Sequence, residues 1–96
     1  MTDIRIMKGR EETAIKMSGH AGDERVCSAL SALFCTLIYA LERRAGLSHS
    51  VSAGKAEACF FNSAFANDAA AVIADGFALI AEKYPENVRF TLTTEE

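Results

Sequence analysis

The chain has 96 residues, 50% of them apolar and 24% charged, with a single proline, which is the profile of one folding unit, 1–96. That composition excludes intrinsic disorder except in the closing "TTEE". A net charge of -3, with no basic run and no interleaving of basic and aromatic residues, argues against nucleic acid as a ligand. A basic protein partner stays open.

Ile4 and Ile6 alternate with Asp3 and Arg5; after "KGREE", Thr13, Ile15 and Met17 alternate with Ala14, Lys16 and Ser18. This predicts two strands around a turn. The opening "MTDIRIMKGR" alternates instead of placing a basic end before an apolar block, so it does not read as a secretory signal. From Val26 the apolar residues recur at Leu30, Leu33, Leu37 and Leu41, joined by Phe34 and Ile38. The spacing is helical, and "ERRAG" supplies basic side chains and a glycine stop, so helix one is expected over Glu24–Ala45. Its apolar stretch "VCSALSALFCTLIYAL" is shorter than a membrane span and carries Ser28, Ser31 and Thr36, so no membrane is expected.

"SHSVSA" and "KAEACFF" flank Gly54 as a short hairpin. Ala56, Ala58 and Phe60 lie on one face, and Glu57, Cys59 and Phe61 on the other. Asn67 or Asp68 is a candidate cap for a second helix running through Lys83, with Val72, Ile73, Phe77, Ile80 and Tyr84 as its buried stripe and Pro85 as its stop. Gly76 inside it suits close packing. Val88, Phe90 and Leu92 form a last strand. The order ββαββαβ predicts an α+β fold, with two helices packed on a small mixed or antiparallel sheet. Helix one also carries small or apolar residues beyond its main face, at Ala29, Ala32, Cys35 and Tyr39, which points to a homodimer.

The chemistry-bearing residues meet around the first turn of helix one. Cys27 sits there, where unpaired backbone N–H groups and the helix dipole favour a thiolate. His20 ends the preceding strand, and the six residues between them form a loop able to bring imidazole and thiol together as base and nucleophile. Gly19 leaves room for an approaching peptide backbone, and Ser31 lies one helical turn after Cys27 on the same face. Free N–H groups at the helix start are candidates to hold the oxyanion of a tetrahedral intermediate. Equally, a small thiol near a helix start is commonly packing, and one Cys and one His seven positions apart arise by chance.

Cys35, about eighty degrees around the helix from Cys27, reads as a core residue, Cys59 as structural, and His49 as an exposed side chain. Asp23 or Glu24 is a helix cap or dipole partner. The three cysteines show no CxxC or Cys/His ligand spacing, so neither zinc nor a disulfide framework is indicated, and a cytoplasmic location is expected.

At these residues the sequence resembles the ribosomal-processing cysteine protease (Prp) family over nearly its whole length. The family's pattern is a strand ending in Gly-His-Ala, a loop, then Gly-x-Asp-x-Val-Cys with a serine four positions later. Here Gly19-His20-Ala21, Val26-Cys27 and Ser31 stand in those places. The later hairpin and "DAAAVIADGFALIAEKYPENVRF" look like the family's second half.

The resemblance implies that Cys27 is the nucleophile, His20 the general base and Ser31 a supporting residue. It also implies a dimer that removes the N-terminal extension of the twenty-seventh large-subunit ribosomal protein through an acyl-enzyme, with no metal or organic cofactor. Two departures stand out. Only "GDERV" separates Ala21 from Cys27, where the family usually has a longer loop with an aromatic residue, and Glu24 replaces the aspartate three before the cysteine. A shortened loop bears on substrate choice before it bears on the dyad. The alternative is a non-catalytic dimeric binding module of the same fold. A redox sensor at Cys27 is disfavoured because no resolving cysteine is near it in sequence.

Overall fold

The computed structural model describes residues 1–44, 47–52 and 54–95. Seven elements follow the expected order: β1 (Thr2–Lys8), β2 (Glu12–Ser18), α1 (Glu24–Glu42), β3 (Leu47–Ser52), β4 (Lys55–Phe61), α2 (Ala64–Lys83) and β5 (Val88–Thr94). The strands form one sheet in the order β3-β4-β2-β1-β5. β1 and β5 run parallel and every other pair antiparallel, so the sheet is mixed and the α+β expectation holds.

Period-two alternation sorts the strands into an inner and an outer face. Ile4, Ile6, Ile15, Ala56, Ala58, Phe60 and Val88 are buried with the helices' apolar residues, whereas Phe61, next to Phe60, is exposed. β4 therefore divides its faces as its sequence indicates. Phe77 of α2 meets Phe90 of β5, with ring centroids 6.2 Å apart, and fastens the second helix to the sheet edge. Both helices are long and apolar enough to cross a bilayer by length and composition, a wider reach than the apolar stretch in the sequence indicated. Here each lays one face on the shared core.

Several expectations at the helix ends are corrected. α1 closes at Glu42, where the Arg44 N–H bonds back to the Leu41 carbonyl in a tight last turn. The expected end residues, Ala45 and the stop Gly46, lie outside the described residues. Arg43 and Arg44, just past the helix, stack over Tyr39 at 5.3 Å and Phe65 at 4.9 Å.

α2 begins earlier than expected. Ser63, not Asn67 or Asp68, is its cap, its Oγ accepting from the Ala66 N–H at 3.1 Å, and Asn67 and Asp68 fall inside the helix. Its buried stripe is Ala66, Ala70, Ile73 and Phe77. Val72 is 70% exposed, because one residue before Ile73 is about 100° around the helix. Tyr84 follows the helix as its C-cap and is 40% exposed.

Gly76 does serve close packing: a Cβ there would lie 3.0 Å from Leu33 Cδ1 of α1. Cys35, expected in the core, is exposed on the outer side of α1. The expected loose tail is ordered through Glu95, since β5 pairs with β1 up to Thr94 and the Glu95 N–H donates to the Lys8 carbonyl. Glu96 lies outside the described residues.

Candidate active site

The end of β2, the first turns of α1 and the β3–β4 turn enclose an open cleft of about 180 Å³. Gly19, His20, Cys27 and Ser31, the four residues singled out in the sequence, all line it. The parallel β1–β5 edge and the antiparallel β2–β4 pair bring these segments to one end of the sheet. Val51, Gly54 and Lys55 from the hairpin complete the far wall.

The connection between His20 and Cys27 is held at several points. Gly19 and Gly22 have φ of 88° and 82°, a region open to glycine, which lets the chain reverse at both ends of the histidine segment. The Ala21 side chain is buried in the core. Asp23 caps α1, accepting from the Arg25 N–H at 2.9 Å, while its carboxylate pairs with the Arg25 guanidinium at 3.1 Å. The Arg25 side-chain hydrogen bond, ahead of the backbone bond, holds the Asp23 carboxyl below its ordinary range. Between the two cap candidates the structure selects Asp23, with Glu24 following in the first turn.

This cap narrows one expectation. Two of the helix-start N–H groups expected as oxyanion donors bond to Asp23 itself: Arg25 N–H donates to the carboxylate, and Cys27 N–H donates to the Asp23 carbonyl at 3.0 Å. The N–H that does face the cysteine comes from the loop, where Ala21 donates to Cys27 Sγ at 3.4 Å.

A second expectation changes at Gly19. The space its missing side chain leaves is taken by the Met1 carbonyl of the same chain, so a Cβ there would collide with backbone. The glycine accommodates Met1, the residue before β1, in the space expected for a peptide.

Among the described residues no hydrogen bond joins His20 to Cys27. The imidazole is exposed and lies over the hairpin turn, with Nε2 3.1 Å from where a Gly54 Cβ would stand. Gly54 has φ 71°, and its carbonyl accepts from the Gly19 N–H at 2.9 Å, which ties the turn to the residue before the histidine. Cys27 is half-buried against the core, and Ser31 is exposed one turn along.

Two further residues shape the site without having been legible as such. Gly54 carried only a turn signal. Asn87, in the α2–β5 connection, donates from Nδ2 to the Ala21 carbonyl at 2.7 Å across 66 sequence positions, and no local pattern marks it. Away from the cleft, exposed His49 lies 3.5 Å from Glu42 and links β3 to the end of α1. The Cys59 thiol is pushed up, first by burial and then by its hydrogen bond to Glu12.

The mixed five-stranded sheet carrying two helices in the order ββαββαβ defines the class of architecture. It is the fold of solved Prp structures. The chain superposes with a TM-score of 0.85 and 21% identity on the essential ribosomal processing protease Prp from S. aureus in complex with a covalently linked product peptide, over 96% of this chain and 99% of that one. The same protease with a substrate peptide gives 0.75 and 18% over the same shares. SMU.848 from Streptococcus mutans gives 0.78 and 20%, over 99% of this chain and 96% of that one. No protein-family model and no curated protein sequence matches the chain.

Proposed function

We propose that the chain is a cysteine endopeptidase of the Prp family, with Cys27 as nucleophile and His20 as general base. One observation carries this: His20 and Cys27, with six residues between them, line the same open cleft together with Ser31. The likeness to a processing protease solved with substrate and product peptides adds support.

In the reaction, His20 takes the Cys27 thiol proton, the thiolate attacks the scissile carbonyl carbon and the carbonyl π pair moves onto oxygen. Collapse re-forms C=O and expels the amine, which takes a proton from the imidazolium of His20. Water then attacks the thioester, giving a proton to His20; collapse expels the Cys27 thiolate, which takes that proton, and the acid and free thiol are released. No metal or organic cofactor enters these steps. His20 is exposed, so its ring is free to turn from Gly54 towards sulfur when a peptide fills the cleft.

The substrate proposed is the N-terminal extension of the twenty-seventh large-subunit ribosomal protein, met in the cytoplasm by a homodimer. Exposed Cys35 and Tyr39 on the outer side of α1 suit the dimer contact. The alternative, a binding module without turnover, is favoured by one feature, the histidine ring resting on Gly54 without a bond to the thiol.

Incubation with ribosomal precursors of the same organism, read by mass spectrometry, tests the proposal. Loss of one N-terminal segment, abolished by Cys27→Ala and His20→Ala in folded protein, is the expected result. Binding of the precursor without cleavage supports the module.

A further inference from the structure

The cleft contains a backbone donor that none of the steps above uses. Ala21 N–H is 3.4 Å from Cys27 Sγ, so the oxygen of a carbonyl bonded to that sulfur can be turned to within about 3 Å of the same donor. Of the donors at the helix start, Arg25 N–H and Cys27 N–H bond to Asp23. A loop N–H performs this task only if the backbone around it is held. Here Asn87 fixes the adjoining Ala21–Gly22 peptide, its side-chain amide donating to the Ala21 carbonyl at 2.7 Å, which restrains ψ of Ala21 and so the residue that carries the N–H.

Asn87 is itself fixed at both ends of its backbone. Its carbonyl accepts from Thr2 N–H at 2.9 Å, and its N–H donates to the Tyr84 carbonyl at 3.0 Å. The side chain therefore projects from a rigid corner between α2 and the β1–β5 edge. Gly22, with φ 82°, has its α-carbon beside the amide, where a Cβ would lie 3.9 Å from Asn87 Nδ2. A buried Ala21 methyl completes the clamp.

Building on the protease reading for the identity of the nucleophile, we infer that Ala21 N–H is the oxyanion donor and that Asn87 is its positioning residue. Sulfur adds to the carbonyl carbon, the C=O π pair becomes the oxyanion, and Ala21 N–H turns from sulfur to that oxygen. Asn87 never touches the substrate. Its effect is confined to reactions that pass through an oxyanion.

That confinement supplies the test. Acylation of Cys27 by p-nitrophenyl acetate forms a tetrahedral oxyanion and expels p-nitrophenolate, whereas alkylation by iodoacetamide displaces iodide and forms none. Both need the same thiolate, so their ratio isolates the donor. Rates are read at Cys27 by peptide mapping, because Cys35 is exposed and also reacts.

In Asn87→Asp, which trades the amide donor for an acceptor facing the Ala21 carbonyl, acylation is expected to fall by about tenfold or more and alkylation to stay within about twofold. Asn87→Ala provides the same ratio if the aspartate variant does not fold. Equal loss in both reactions, or no loss in either, overturns the inference. An Asn87-dependent acylation in a protein that hydrolyses no precursor peptide removes the protease reading and leaves the donor assignment standing.

Discussion

His20 rests its imidazole on the α-carbon of Gly54, Nε2 lying 3.1 Å from where a Cβ would be. The hairpin turn thus decides where the proposed general base waits, and only glycine leaves that place open. Gly54→Ala faces two costs: φ of 71° is strained by about 1–2 kcal/mol for a residue with a Cβ, and the ring must move. The expected outcome is a lower melting temperature together with slower precursor cleavage. A variant that melts lower and cleaves at the full rate would show that the resting place of the ring does not matter to catalysis.

The cap at Asp23 makes stability sensitive to acid. Its folded pKa lies below the ordinary 3.8, chiefly through the Arg25 hydrogen bond, so its contribution is fully present above 3.8 and is lost as pH falls through the folded value. Urea midpoints measured from neutral pH to below 3.8 should show this increment in the wild type. Asp23→Asn keeps an acceptor for the Arg25 N–H but does not titrate, and should lack it. The same acid slope in both proteins argues that the cap carries no linkage.

Cys59 should be the slow thiol. Burial and the neighbouring Glu12 carboxylate both disfavour its anion, so near neutral pH it is expected to alkylate more slowly than exposed Cys35. Glu12→Gln removes the charge and should speed Cys59 without altering Cys35. Mass spectrometric mapping of the two sites over time checks both statements; an unchanged Cys59 rate in the variant counts against the role of Glu12.

At the other helix start, Ser63→Ala removes the side-chain acceptor of the Ala66 N–H and is expected to cost about 1 kcal/mol. For a domain of this size that lowers the melting temperature by about 4–8 °C. Asn67→Ala, at a position inside α2, should cost much less. The opposite ranking would restore Asn67 as the cap.

The order of elements and the inner and outer strand faces were legible because they rest on local periodicity. Ile4 and Ile6 in β1, or Ala56, Ala58 and Phe60 in β4, declare their face by alternation alone. Helix ends were less legible: Ser63 competes with Asn67 and Asp68 as a cap, and only the path of the chain from β4 decides among them.

In the site, Gly19, His20, Cys27 and Ser31 were found from a short segment, and they do share a cleft. What that cleft borrows from distant segments was not legible. Gly54 meets His20, and Asn87 meets Ala21, through sheet pairing and a helix-to-strand corner that no spacing rule encodes. The close approach at Gly19 is illegible for the same reason, since Met1 reaches it only after β1 joins β2.

The most direct measurement is the intact mass of the protein quenched in acid during turnover of a ribosomal precursor peptide. A thioester adduct on Cys27, equal to the released N-terminal segment less water and absent from Cys27→Ala, is the expected result. Continued cleavage by Cys27→Ala, or cleavage by the wild type with the acyl group on any other residue, contradicts the assignment of Cys27 as nucleophile.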